Sequence, residues 1–194
     1  MGDALALVEI DSVARGLSAL DALVKKAPVE VLEANLIEPG RFLILFAGGV
    51  AEVDESLREA VAMAESAVVD QLFLPMAHPA IVAGLRGRMV LKGADDLDTL
   101  GVIEGRCVAG TLEAADRSLK DADVTLAGVR VSGGLGGRAY YVVFGAQHDV
   151  EAALDAGESV LNARGSLHRV ERIARPHAEM VRWLLRSPPF AVEV

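Results

Sequence analysis

The first half of the chain alternates apolar and polar positions in a pattern that predicts short strands between amphipathic helices. An apolar run over residues 4–10 predicts a buried strand, and apolar residues then recur at helical spacing as far as Pro28, which ends the helix. Residues 29–37 and 42–47 predict two more strands, joined by a turn at Pro39-Gly40. The spacing further along predicts a helix, a strand and a short helix, over residues 53–64, 68–74 and 79–85.

The second half of the chain repeats the first. At an offset of 95 residues, Val8–Ala34 aligns with Ile103–Val129, and nine of the 27 pairs are identical. Three identities join charged residues, which an alanine- and valine-rich composition does not explain: Glu9/Glu104, Asp21/Asp116 and Lys25/Lys120. The offset grows to 97 and then to 99 at predicted loops, where insertions are tolerated. We therefore expect two copies of one domain, at residues 1–93 and 94–194, joined by the polar linker 92–96.

The element order of each copy predicts the fold class. Strand, helix, strand, strand, helix, strand, helix makes a mainly antiparallel sheet with helices packed on one face, which is an α+β sandwich. The composition is 52% hydrophobic but only 4% aromatic, so alanine, valine and leucine are expected to fill the two cores.

Charge and cysteine content exclude several classes of function. A formal net charge of −9 argues against nucleic acid as a partner, because phosphate binding needs a clustered basic surface. The single cysteine, Cys107, cannot form an internal disulfide, which fits a reducing cytoplasm. No signal peptide or membrane-spanning apolar stretch is recognisable.

Residues 132–137, Ser-Gly-Gly-Leu-Gly-Gly, are a candidate phosphate-binding loop. Phosphate loops lead into a helix N-terminus, however, whereas this stretch leads into the apolar β-run 139–144 and lacks a Gly-Lys-Ser/Thr ending. A structural or pore-lining turn is therefore the favoured interpretation. The alternative is a regulatory or enzymatic protein that binds a small phosphorylated molecule through Gly133–Gly137. Of the four histidines, His78 and His177 occupy equivalent repeat positions, which favours a scaffold role over metal binding.

Three motifs resemble the tandem-domain shell proteins of bacterial microcompartments. They are Asp-x-x-x-Lys at 21–25 and 116–120, Gly-Arg at the start of the third strand of each copy (40–41 and 137–138), and Arg-Pro-His at 175–177. The resemblance extends over nearly the whole chain. It implies a structural protein without catalytic residues, in the unpermuted branch that forms single discs. The expected location is the microcompartment shell in the cytoplasm.

The resemblance also implies an assembly and a set of site residues. Three chains would form a pseudohexagonal disc that tiles edge to edge with other shell proteins around encapsulated enzymes. Lys25, Lys120 and Arg175 would lie at the tile edges. A central pore for small polar metabolites would be lined by the two loops Glu38-Pro39-Gly40 and Ser132-Gly133-Gly134-Leu135-Gly136. Some similar proteins hold an iron–sulfur cluster through a cysteine in the first loop, but Glu38 stands there, so no metal or cofactor is implied.

Overall fold

A computed structural model describes residues 4–85, 98–131 and 134–184. The predicted linker 92–96 and the boundary between residues 93 and 94 lie outside these ranges. The first domain comprises β1 (Ala4–Ile10), α1 (Val13–Lys26), β2 (Glu30–Ile37), β3 (Arg41–Gly48), α2 (Val50–Ala64), β4 (Val68–Leu74) and α3 (Pro79–Leu85). The second comprises β5 (Thr99–Gly105), α4 (Val108–Asp121), β6 (Thr125–Arg130), β7 (Ala139–Gly145), α5 (Gln147–Ala163), β8 (Leu167–Ala174) and α6 (Ala178–Leu184). The element order predicted from the sequence is confirmed in both copies.

Each domain contains one four-stranded sheet. The strand orders are β2-β3-β1-β4 and β6-β7-β5-β8, and every pairing among the described residues is antiparallel. The central strands β1 and β5 occupy equivalent positions, so that Glu9 pairs with Asp70 on β4 just as Glu104 pairs with Arg169 on β8. This register fixes which residues of the two domains are equivalent at the sheet edge.

The first sheet is covered on both faces. Alternate residues of β1, from Ala4 to Ile10, form a core with α1 and α2, as period-two alternation requires. The other face, which carries Leu5 and Leu7, packs against the second domain, chiefly through α4. The prediction of helices on one face therefore holds for α1 and α2, whereas α3 packs on β6 of the second domain. A single copy considered alone could not reveal this arrangement.

Equivalent helices of the two domains are buried to very different extents. In α4 ten of 14 residues are buried, because the helix lies between its own sheet and the first domain. In α1 the buried residues are Gly16, Ala19 and Leu23, which face the helix's own domain. Among the residues that the structure describes, no helix is both long and apolar enough to cross a membrane.

Candidate functional site at the domain joint

The Asp-x-x-x-Lys motif of the second domain binds the loop before the last helix of the first domain. Asp116, which is buried on α4, accepts a hydrogen bond of 2.7 Å from the backbone N–H of His78. Lys120 Nζ donates to Asp116 Oδ2 and to the carbonyl of Met76, both at 2.6 Å. The Asp-x-x-x-Lys motif of the second domain and the first-domain counterpart of the Arg-Pro-His motif are thus the two sides of one contact, which we call the closed joint.

The same motif in the first domain has no such contact with the matching loop of the second. Lys25 Nζ pairs with Asp21 Oδ2 at 2.6 Å, and the two side chains are 71% and 63% exposed. The residues equivalent to Met76 and His78 are Arg175 and His177, which follow β8 at the other end of the chain. We call this second, unmade set of contacts the open joint.

A buried carboxylate, Glu9, makes a further contact between the first domain and α4, and we include this contact in the closed joint. Glu9 is fully buried, accepts a hydrogen bond from the Val108 N–H at the start of α4, and contacts Arg41 Nη1, with both distances 3.3 Å. Burial, reinforced by the Asp70 carboxylate, raises the pKa of Glu9, and Arg41 partly opposes this shift. Glu9 thereby links the first sheet to the N-terminus of α4, where a negative charge is favoured.

The equivalent carboxylate of the second domain lies at the surface of the chain. The Glu104 side chain is 42% exposed, and its Oε2 is 3.8 Å from His168 Nε2. His168 is in turn 2.8 Å from Arg138 Nη1, and Arg138 is the counterpart of Arg41. The second sheet therefore presents the same type of group as Glu9, but among the residues that the structure describes no N–H at a helix N-terminus donates a hydrogen bond to it.

Three charged side chains of alternating sign also belong to the closed joint. Arg164, just after α5, contacts Asp70 of the first domain at 3.4 Å and Glu113 of α4 at 2.6 Å. Asp70, Arg164 and Glu113 are the residues of this candidate site that the sequence analysis missed. The sequence did give one signal for this site, because a glutamate repeated on a strand predicted to be buried, Glu9/Glu104, requires a partner.

The two loops expected to line a pore meet within one chain. Glu38 Oε2 accepts a hydrogen bond of 2.9 Å from the Gly136 N–H. Gly137 has a φ of +78°, and a Cβ there would lie 2.6 Å from the Glu38 carbonyl oxygen, so the close approach requires glycine. Arg41 turns toward Glu9 rather than toward Glu38.

Not all of the predicted loop residues can be placed. Ser132 and Gly133 lie outside the described residues, whereas Gly134 and Gly136 are exposed and Leu135 is half-buried. Pro39 and Gly40 form the turn between β2 and β3, closed by a Gly40 N–H to Ile37 carbonyl hydrogen bond of 3.0 Å. The described residues thus place Glu38 beside the glycine-rich loop.

The phosphate-binding alternative gains no support from this loop. It leads into β7, and the Gly136 N–H is already bonded to a carboxylate.

In the part of the chain that the structure describes, no group of three or more histidine, cysteine or acidic residues could hold a metal ion. His78 and His177 each accept, through Nδ1, a hydrogen bond from a backbone N–H at the start of the following helix, which is the same local role twice. Cys107 precedes α4, and burial raises the pKa of its thiol.

Comparisons with known proteins agree with this architecture. The family model described as BMC domain matches residues 4–77 and 99–176. The bacterial microcompartment shell protein PduT of Citrobacter freundii is 34% identical over 187 residues, which are 96% of this chain and 100% of PduT. The shell protein EutM of Salmonella typhimurium is 37% identical over 84 residues, 43% of this chain and 85% of EutM. The crystal structure of a microcompartment protein from Desulfitobacterium hafniense has 33% identity and a TM-score of 0.87, covering 94% of this chain and 99% of that one.

These matches define a class of protein built from two tandem BMC domains. The chain belongs to the BMC domain family. Its role is that of a structural shell protein of a bacterial microcompartment, located in the shell in the bacterial cytoplasm.

Proposed function

We propose that three chains form a pseudohexameric ring that serves, without catalysis, as a tile of the shell. One observation carries this proposal: the repeated contact set is made once within the chain and is left open once. A second chain can supply the missing halves of each open joint, because one chain end offers α1 and the other offers the second sheet with Arg175 and His177. Such a head-to-tail contact generates a closed ring when the rotation between successive subunits closes. Since the family resemblance implies six domain positions, three chains complete it.

The apolar surface of α1 supports this arrangement. Val13, Leu17 and Val24 are 39%, 54% and 45% exposed. Their counterparts on α4, Val108, Leu112 and Leu119, are all buried in the closed joint. An apolar stripe exposed in one copy and buried in the other indicates a docking surface, and the matching surface is already known from the closed joint.

The second sheet presents the complementary surface. Val102, Tyr140 and Phe144 are only partly buried on the face that also carries Glu104. Their counterparts on the first sheet, Leu7, Leu43 and Ala47, are buried in the core shared with the second domain. We infer that α1 of a neighbouring subunit covers Val102, Tyr140 and Phe144, and that Glu104 then accepts a hydrogen bond from the neighbour's Val13 N–H.

Within the ring, the Glu38 loop and the Gly134–Gly136 loop are proposed to line a central pore for small polar metabolites. The direct bond between Glu38 and Gly136 supports their joint role. Three symmetric copies of Glu38 would give the opening a negative charge and attract cations, while glycine backbone would leave it polar.

This pore predicts an effect of Glu38→Gln on ion selectivity. Glutamine keeps an oxygen that can accept the Gly136 N–H but removes three negative charges from the proposed opening. The ratio of cation to anion permeability should fall by about twofold or more. This ratio is obtained from the reversal potential measured across a planar bilayer that contains the purified protein. Glu55→Gln removes an exposed acid on α2 and serves as the control. Equal selectivity in both variants and the wild type would refute the assignment of Glu38 to the pore.

We propose that Lys25, Lys120 and Arg175 lie at the edges of the tile, where they would also contact other shell proteins. The enclosed enzymes are further candidate partners of the tile. Lys120 lies in the closed joint, and by equivalence Lys25 would donate to the Arg175 carbonyl of the neighbouring subunit. Both lysines therefore belong to boundaries between domains, and the high exposure of Lys25 leaves it available to an adjacent tile.

Reversal of the charge at Lys25 is expected to separate tiling from ring formation. Lys25→Glu also removes one proposed bond of the open joint, so the variant is compared with the wild type at a protein concentration where light scattering shows both as trimers. There it should reduce the extended sheets seen by negative-stain electron microscopy, with an effect that weakens as salt rises, because exposed ion pairs contribute only about 0–1 kcal/mol each. Arg58→Glu, on the exposed side of α2, is the control. Wild-type sheets formed by Lys25→Glu would exclude Lys25 from the tile edge.

A further inference from the structure

The charges beside the two joints have opposite order. In the closed joint Arg164 lies between Asp70 and Glu113, an acid–base–acid set in which the three side chains are 26–38% exposed. Strand register makes Arg169 on β8 the counterpart of Asp70, because Asp70 pairs with Glu9 and Arg169 with Glu104. The second sheet therefore presents a base at the place where the first presents an acid.

The counterpart of Arg164 is an acid. Ala67 and Ser166 are equivalent, since their carbonyls accept hydrogen bonds from the equivalent N–H groups of Asp11 and Arg106. Counting back from these residues aligns Glu65 with Arg164. The two also lie against the same position of the first helix: Glu65 pairs with Arg15 on α1 at 3.6 Å, and a Cβ on Gly110 of α4 would lie 3.1 Å from Arg164 Cδ. Gly110 is the counterpart of Arg15 at the offset of 95.

We propose that Glu65 of one subunit pairs with Arg169 of its neighbour across the open joint, where it completes a base–acid–base set of Arg169, Glu65 and Arg15. This proposal rests on the proposed ring. The side chains of Glu65 and Arg169 are 67% and 68% exposed in the single chain. On the second sheet, Arg169 lies 3.9 Å from Glu171. It also pairs in strand register with Glu104, which belongs to the Glu104–His168–Arg138 cluster. The subunit that contributes Glu65 presents it already paired with its own Arg15.

The reversed order selects which domains meet. A first domain docked on another first domain would set Asp70 against Glu65, two acids. A second domain docked on another second domain would set Arg169 against Arg164, two bases. Only alternation of first and second domains gives attraction at every joint, so the two charge sets reinforce the order that the closed joint imposes, by penalising like pairs.

The test compares single and swapped charge reversals in the full-length chain. Glu65→Arg and Arg169→Glu should each raise the protein concentration at half-dissociation about tenfold or more, as measured by mass photometry and light scattering. The double variant Glu65→Arg, Arg169→Glu should return it to within about threefold of the wild type. Glu65→Arg with Arg172→Glu has the same net charge but changes an arginine that contacts Glu151 instead, and it should not be rescued.

The outcomes distinguish the pairing from the ring itself. A wild-type protein that stays monomeric would remove the proposed ring, and the pairing with it. A trimeric wild type with no rescue in the swapped variant would overturn the pairing and leave the ring intact. Where the swapped variant does not fold, Glu65→Cys with Arg169→Cys in a Cys107→Ser background decides the question: a disulfide between subunits on a non-reducing gel supports the pairing, and its absence under oxidation overturns it.

Discussion

Leu17→Asp is expected to convert the proposed trimer into folded monomers of 20.4 kDa. Leu17 is 54% exposed in the single chain, so the aspartate should not disturb the fold. In the proposed ring the same position is buried like Leu112, and an unpaired carboxylate there would cost about 3 kcal/mol or more at each of three interfaces. Light scattering at micromolar concentration gives the mass directly.

A matched variant controls for the added charge. Val50→Asp introduces an aspartate at another exposed apolar residue, at the start of α2, where the equivalent residue of the second domain is the exposed Gln147. That position lies in neither joint, so the variant should remain trimeric. A trimer in both variants would mean that α1 is not the subunit interface, and monomers in both would mean that added charge alone dissociates the ring.

Of the two aspartates of the repeated motif, Asp116 is expected to stabilise the fold of the chain and Asp21 the association of subunits. Asp116→Ala should lower the free energy of unfolding by about 2–4 kcal/mol, because it leaves the His78 N–H without its acceptor and Lys120 without its carboxylate. Asp21→Ala changes an exposed pair and should alter the stability of the isolated chain by about 0.5 kcal/mol or less. In the ring, however, Asp21 would accept the His177 N–H of the neighbour.

Urea unfolding and the trimer dissociation constant, measured on both variants, separate these effects. We expect Asp116→Ala to unfold at lower urea concentration, and Asp21→Ala to dissociate more readily while each chain keeps its fold. Unfolding should be followed in the monomeric Leu17→Asp background, so that subunit contacts do not contribute. If Asp21→Ala left the dissociation constant unchanged, the equivalence of the closed and open joints would fail.

Much of the fold could be predicted because the chain contains it twice. The offset alignment predicted the element order of both domains, and the apolar runs at residues 4–10 and 42–47 correctly predicted β1 and β3 as buried strands. The packing of α3 on the second domain was not predicted, since amphipathicity identifies the buried side of a helix but not the surface that covers it.

The site was recognised only in parts. Asp116, Lys120 and His78 all stood out as repeated residues, yet an alignment of two copies shows equivalence and not contact. The joining of one copy's motif to the other copy's loop depends on how the domains pack. Asp70 and Arg164 gave no signal because their counterparts, Arg169 and Glu65, carry the opposite charge. A comparison of the two copies that looks for identical residues does not detect such pairs.

The closed joint also has a consequence for assembly kinetics. Because covalent linkage holds the two halves of this joint together, it forms as a unimolecular step that does not depend on protein concentration. A ring of six unlinked domains needs five bimolecular encounters, whereas a ring of three linked pairs needs two, because the last joint of each ring closes within one complex. Dilution therefore acts on only half of the joints, and such a tile should form at concentrations too low for single-domain relatives with joints of equal strength.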